Sequence, residues 1–151
     1  YNASGTYLTS CMIDNRKPLN TKIIGLNYFS GFVADYTTYS IEIEDEKEAY
    51  YLLTFLNSSF LDEIIKPMQA RGDFGERHIV KKPLELPIPK FDPDNPLHIS
   101  LAELSKRCHS KVASLMFTKR SVAGKRKEAR EAIREELEEI NMLTSQLLGL
   151  R

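Results

Sequence analysis

No stretch of this 151-residue chain approaches the roughly 18 to 20 unbroken apolar residues that a membrane span requires, and no basic-then-apolar start has the form of a signal peptide. A cytoplasmic protein without a membrane partner is expected. Cysteine is scarce: Cys11 and Cys108 lie far apart, which suggests neither a disulfide framework nor a zinc site. His78, His98 and the Cys108-His109 pair match no common metal-ligand spacing. Excess charge is lacking too, because 21 basic residues face 21 acidic ones, and a dedicated nucleic-acid binder usually carries a basic surplus. Catalytic signatures are also missing. There is no phosphate-binding Gly-Lys-Ser/Thr loop, no His-Glu-x-x-His, and no Asn/Asp-Pro-Pro-Tyr/Phe of the kind that holds a flipped adenine. No catalytic residue, metal or cofactor is therefore assigned to this chain.

What is present is the balance of a globular protein, 42% hydrophobic and 28% charged. The first residue is Tyr1 rather than Met, so the chain reads as a piece of something longer. Its charge is unevenly spread. Residues 42–48, EIEDEKE, carry five acids and one base, whereas residues 66–90 carry six bases and three acids. A neutral sum can therefore hide a basic face.

β-branched and aromatic residues crowd the first 44 positions, with turn signals at Asn15 and Lys17-Pro18 and breaks at Gly25 and Gly31. Short strands are expected there. The clearest is the last, where Tyr39, Ile41 and Ile43 alternate with Ser40, Glu42 and Glu44. At Asp45 the period changes. Asp45 with Glu48 has the form of a helix N-terminal cap, and Ala49, Leu52, Leu53, Leu56, Phe60, Leu61, Ile64 and Ile65 form a helical stripe. A break is expected at Asn57-Ser58-Ser59, and Pro67 ends the helix. Residues 68–78 hold Gly72 and Gly75 and read as a loop. Leu84, Leu86 and Ile88 then suggest a short strand, which Pro83, Pro87 and Pro89 confine to a sheet edge or an extended segment on the core. After the turn formers Asp92-Pro93 and Asn95-Pro96, Leu97, Leu101, Leu104, Cys108, Val112 and Leu115 make an apolar seam that needs a partner. A second stripe, Ala129, Ile133, Leu137, Ile140 and Leu147, follows a joint around Ser121–Gly124. A helical hairpin is the economical reading, and one continuous helix is the alternative.

The expected architecture is α+β: a small mixed or antiparallel sheet lobe with a packed helix over residues 1–92, then a helical appendage over 93–151. Within it the loop 68–78 is the most site-like segment. Its glycines let a backbone approach a phosphate or base closely, Arg71 and Arg77 can make forked contacts, and Phe74 can stack. The plainer alternative is a tight turn whose arginines pair with Asp73, Glu76 or the acidic stretch. The joint KRSVAGKRK, residues 119–127, has five bases and no acid. Lys125, Arg126 and Lys127 would sit near a helix N-terminus, where an exposed cation is unfavourable by about 0.3 to 1 kcal/mol. A phosphate would offset that, as would a partner's acids or solvent. The spacing acid-x-Lys in EDEK, residues 44–47, occurs at metal-dependent nuclease centres, but helix capping explains it without a metal.

The stretch from about Gly31 to His98 resembles the C-terminal target-recognition region of adenine-N6 DNA methyltransferases of bacterial and archaeal restriction-modification systems. It is more distantly similar to type I restriction specificity subunits. The pieces that carry the resemblance are EAYYLLTFLNSS, ARGDFGERHI and LELPIPKFD, in that order. It implies a DNA-docking module that works with a separate N-terminal domain, which would hold S-adenosylmethionine and the target adenine; this chain alone would have no methyltransferase activity. Ile79, Leu84, Leu86 and Ile88 would anchor the core. Arg71, Arg77, His78, Lys81 and Lys82 would touch double-stranded DNA, mainly its phosphates, with Lys125 and Arg126 as further candidates. Base-reading side chains would lie in the loops of residues 1–35 or outside this chain. The C-terminal helices would pack on the methyltransferase domain or another subunit, or form a dimer. The rival function is a protein-interaction module whose hairpin assembles subunits without touching DNA.

Overall fold

A computed structural model describes residues 1–5, 7–14, 36–72, 75–76 and 78–149; for residues 71, 72, 75 and 76 it describes the backbone only. The expected turn at 15–18 and the breaks at Gly25 and Gly31 lie outside the described residues.

The helix expected after residue 45 forms as two. Asp45 caps α1, Glu46–Asn57, with its carboxylate accepting from the Lys47 and Glu48 amides at 2.7 and 2.9 Å. Ser58 then stops α1 and starts α2, Ser59–Ile65, in one residue. Its extended backbone (φ −69°, ψ 144°) breaks the first helix, while its hydroxyl donates to the Phe55 carbonyl (2.8 Å) and accepts from the Leu61 amide (3.1 Å). A 3₁₀ turn, Lys66–Met68, absorbs Pro67. The chain then forms a two-residue antiparallel hairpin, β1 (Arg71–Gly72) with β2 (Gly75–Glu76), pairing Arg71 with Glu76 and Gly72 with Gly75.

The sheet lobe is not found. Among the described residues the fold is helical, and the hairpin is the only ladder besides two isolated bridges, Asn2 with Thr38 and Ser4 with His78. The α+β expectation fails for two local reasons. In KKPLELPIP, Pro83 near the start of a helix has its φ already set and loses no needed donor, so residues Lys82–Glu85 close into a short helix, α3. Leu84 consequently points to solvent at 47% exposure and does not anchor the core, whereas Pro83 is buried and Ile79 wholly so. Residues 86–91 run extended without a ladder, their prolines removing donors. In the alternating stretch 39–43 no strand forms, and Ile41 is left 45% exposed. Among the described residues the backbone around it pairs only with residues 1–3, through one isolated bridge and its flanking bonds, which is too short to make a ladder.

Beyond the turn at 92–95, α4 (Pro96–Ala113) starts on the Asn95 cap, whose side chain accepts from the Leu97 amide. A loop leads to α5, Val122–Ala132, and a kink at Ile133 to α6, Arg134–Leu147. The C-terminal segment thus doubles back, as the hairpin reading expects, with α6 on α4. The middle of the α4 seam is covered from within the chain: Leu101 and Ala102 join Tyr51, Phe55, Leu61 and Ile79 in the main core, and Leu104 and Cys108 pack with Ile140 of α6, while Val112 and Leu115 at its end stay half-buried outside both clusters. Because α1 meets α4, α6 and the N-terminal segment, it is buried at Tyr50, Tyr51, Thr54 and Phe55 as well as along its apolar stripe. Among the described residues no helix is long and apolar enough to cross a membrane.

Candidate nucleic-acid interface

Three segments separated in sequence converge on α1 and α2. Asn57, at the end of α1, reaches the N-terminal segment with both ends of its amide: Oδ1 accepts from the Ser10 N–H (2.9 Å) and Nδ2 donates to the Ser10 carbonyl (3.0 Å). Asp62 of α2 accepts from the Leu8 N–H at 3.0 Å and pairs with Lys66 at 3.0 Å. On the other side, the carbonyl of Ala3 takes the N–H groups of both Ile79 and Val80 at 3.0 Å. Tyr39 donates to Tyr1 and Ala3 to Thr37, each at 2.8 Å. Residues 1–4 are therefore a strut between 37–39 and 78–80.

The strut defines how the glycine hairpin leaves the body. Ile79, three positions beyond β2, is wholly buried, while Val80 next to it holds φ +51°, a left-handed conformation that a β-branched residue takes only under constraint. Two bonds hold it there, its N–H on Ala3 and its carbonyl receiving the Tyr1 hydroxyl at 2.9 Å. The turn sends His78 and Lys81 outward as exposed side chains, with Lys82 half-exposed at the start of α3. None of the three forms an ion pair among the described residues. Arg71 lies at the foot of β1, and its side chain, with Phe74 and Arg77, lies outside the described residues.

Lys125 and Arg126 stand apart from this set in sequence and element, exposed on the first turns of α5. That helix buries no side chain. Glu128 bends back from it to the preceding loop, accepting from the Thr118 N–H (3.0 Å), the Lys119 N–H (3.3 Å) and the Thr118 hydroxyl. The hydroxyl bond first, and then the two amides, hold the Glu128 carboxyl below its ordinary 4.5.

Several functional-looking groups serve the fold. His98 is buried, its Nδ1 accepting from the Asp92 N–H at 3.0 Å and its ring 4.7 Å from that of Tyr51, so it pins the turn before α4. Burial pushes the Tyr51 phenol up to about 12 while its hydroxyl donates to the Pro89 carbonyl at 3.0 Å. Burial likewise raises the Cys108 thiol to about 11, which makes it inert at neutral pH. In EDEK, Asp45 is engaged in capping and Glu46 pairs with Lys106 at 3.2 Å. A shallow apolar groove lined by Tyr51, Leu52, Pro83, Leu86, Ile88 and Phe91 lies between α1 and the extended segment.

Two features escape a reading by periodicity. Lys111 of α4 forms an ion pair with Glu136 of α6, a residue only 6% exposed. The Lys111 bond holds the Glu136 carboxyl below its ordinary 4.5. Nothing local marks Glu136 among the acids of EELEE. Glu128 does leave a signal, as the first acid after a run of five bases.

Compared with protein-family models, with curated proteins and with solved structures, the chain matches none of them.

Proposed function

We propose that the chain is a DNA-docking, target-recognition module of an adenine-N6 DNA methyltransferase of the restriction-modification type. One observation carries the reading. Tyr51 and Phe55 of the first stretch, Ile79 of the second and Pro83 just before the third are buried around a common core, while His78 and Lys81 between them are exposed and form no ion pair among the described residues; Leu84 is the apolar exception that faces water. That is the division of labour of a scaffold carrying a phosphate-contacting rim. S-adenosylmethionine belongs to a separate catalytic domain in this reading, and no step of its chemistry falls to residues of this chain.

The rival, a subunit-assembly module, leaned on the seam of α4 needing a partner. Leu101, Leu104 and Cys108 find theirs in α1 and α6 of the same chain, which weakens it.

The test is duplex-DNA binding over a salt series. Each phosphate contact adds about 0.9 to the slope of log affinity against log salt. Replacing Arg71, Arg77, Lys81 and Lys82 by Ala is expected to flatten the slope by about 2 to 4. An unchanged slope would remove the rim from the DNA surface.

A further inference from the structure

We infer that the loop and first turns of α5, residues 117–128, form a built phosphate-binding knob, a second contact with duplex DNA distinct from the glycine hairpin. The inference rests on the DNA-docking reading for its partner and on separate observations for its site.

Lys119, Arg120, Lys125, Arg126 and Lys127 are all exposed, and among the described residues none forms an ion pair. Like charges so concentrated repel, and an unconstrained loop would splay them apart. Here the backbone that carries them is fixed. Glu128 clamps residues 118 and 119 through three hydrogen bonds, and Ser121 caps α5 by accepting from the Gly124 N–H at 3.1 Å. The loop lies so close on α5 that a Cβ on Gly124 would stand 2.6 Å from Cβ of Lys119. Lys125 extends over the Phe117 ring, 6.0 Å from its centroid. No residue of α5 is fully buried, so the helix adds nothing to the two core clusters. A clamp and a close-packed glycine thus order a basic loop and helix start that add no fully buried side chain to the core.

The shape of the cluster selects the ligand. Lys125, Arg126 and Lys127 are consecutive, so their side chains fan out at about 100° intervals around the helix. A fan reaches two facing walls of phosphate, as in a duplex groove. A flat anionic membrane is met by one face, and α5 has no large apolar face opposite its charges to enter a bilayer.

The experiment measures binding of a mixed-sequence duplex by the full 151-residue chain across a salt series. Replacing all five bases by Gln is expected to lower affinity at least 30-fold at low salt and the slope by about 3 to 4, with the circular-dichroism melt unmoved. The clamp gives the sharper result. Glu128→Ala makes the chain more positive, so diffuse electrostatics would tighten binding, whereas loss of an organised knob weakens it about 3- to 10-fold. Gly124→Ala, which alters no charge and favours the helix, should also weaken binding by displacing Lys119. Tighter or unchanged binding by Glu128→Ala and Gly124→Ala overturns the knob, as does an unaltered slope in the five-base variant. If Lys81→Gln with Lys82→Gln weakens binding and the α5 variants do not, the docking reading stands and the knob falls; the reverse pattern keeps the knob and removes the hairpin rim. No binding by the unmodified chain overturns both. Phosphatidylglycerol vesicles that lose binding with the five-base variant, while duplex affinity is unaltered, overturn the choice of nucleic acid.

Discussion

The body around α1 and the tip around α5 are stabilised by different physics. In the body, Tyr51, Phe55, Leu61, Ile79 and Leu101 are nearly or wholly removed from water, and the buried Thr54 hydroxyl donates to the Tyr51 carbonyl at 2.5 Å. At the tip no side chain of α5 is buried, and order comes from hydrogen bonds to Glu128 and from a glycine. Apolar burial is non-directional and collective, so it sustains a core but does not dictate where charges stand. Polar clamps stabilise little and position well. A protein that must hold like charges together on its surface needs the second kind of construction.

The contrast can be broken most severely at Phe55. It is 0% exposed, and Phe55→Ala is expected to cost about 3 to 5 kcal/mol, read from denaturant midpoints. A loss below about 1 kcal/mol would mean that the site collapses freely and is not packed core. Lys111 comes next, at the junction of the two regions. Removing it in Lys111→Met leaves Glu136 buried without its partner; because the lysine is 43% exposed, the expected cost is roughly 2 kcal/mol, below the full penalty for a buried pair. Adding Glu136→Leu should recover most of it, and no recovery would show that the pair contributes through geometry instead of cancelling a charge. Ser58→Ala removes a buried cap that both ends α1 and begins α2, for about 1 kcal/mol. At the small end, Val122→Ala should alter stability by less than about 0.5 kcal/mol, Val122 being 76% exposed.

Acid sharpens the same comparison. Both Glu128 and Glu136 are held below 4.5 in the folded chain; Glu136 contributes global stability that is complete above that value and is lost as pH falls through the depressed folded value, whereas Glu128, on the exposed tip, stabilises only its own loop over the same range. Below 4.5, Glu136→Gln should flatten the pH dependence of the melting temperature, because the pair joins α4 to α6. Glu128→Gln should leave global melting unchanged and alter only local hydrogen exchange at Thr118 and Lys119. Equal effects on global melting would mean that the tip and body unfold as one unit.

Much of the helical skeleton was legible in the sequence. Asp45, Ser58, Pro67, Asn95 and Ser121 announce where helices begin or end through local chemistry, and each stands at or beside a boundary. The stretch 82–88 was misread because Leu84, Leu86 and Ile88 alternate as a strand does, while Pro83 pre-sets a helical turn; alternation records what a strand would bury, not whether a neighbour exists to pair with it. For the candidate interface, the exposed bases were visible as charge runs, but what organises them was not. Ser10 with Asn57, Leu8 with Asp62, and Ala3 with Ile79 and Val80 are pairings across more than forty positions, and nothing in either local window encodes them.

Residue order alone thus determined the caps, the break between α1 and α2 and the placement of basic residues along the chain. Those properties depend on backbone groups within a few positions, where side-chain chemistry acts directly. Tertiary structure decided which apolar residues became core, that Leu84 faced water and Pro83 did not, and which acid among EELEE was buried against Lys111. These outcomes depend on which surfaces meet, and that is a property of the whole packed chain.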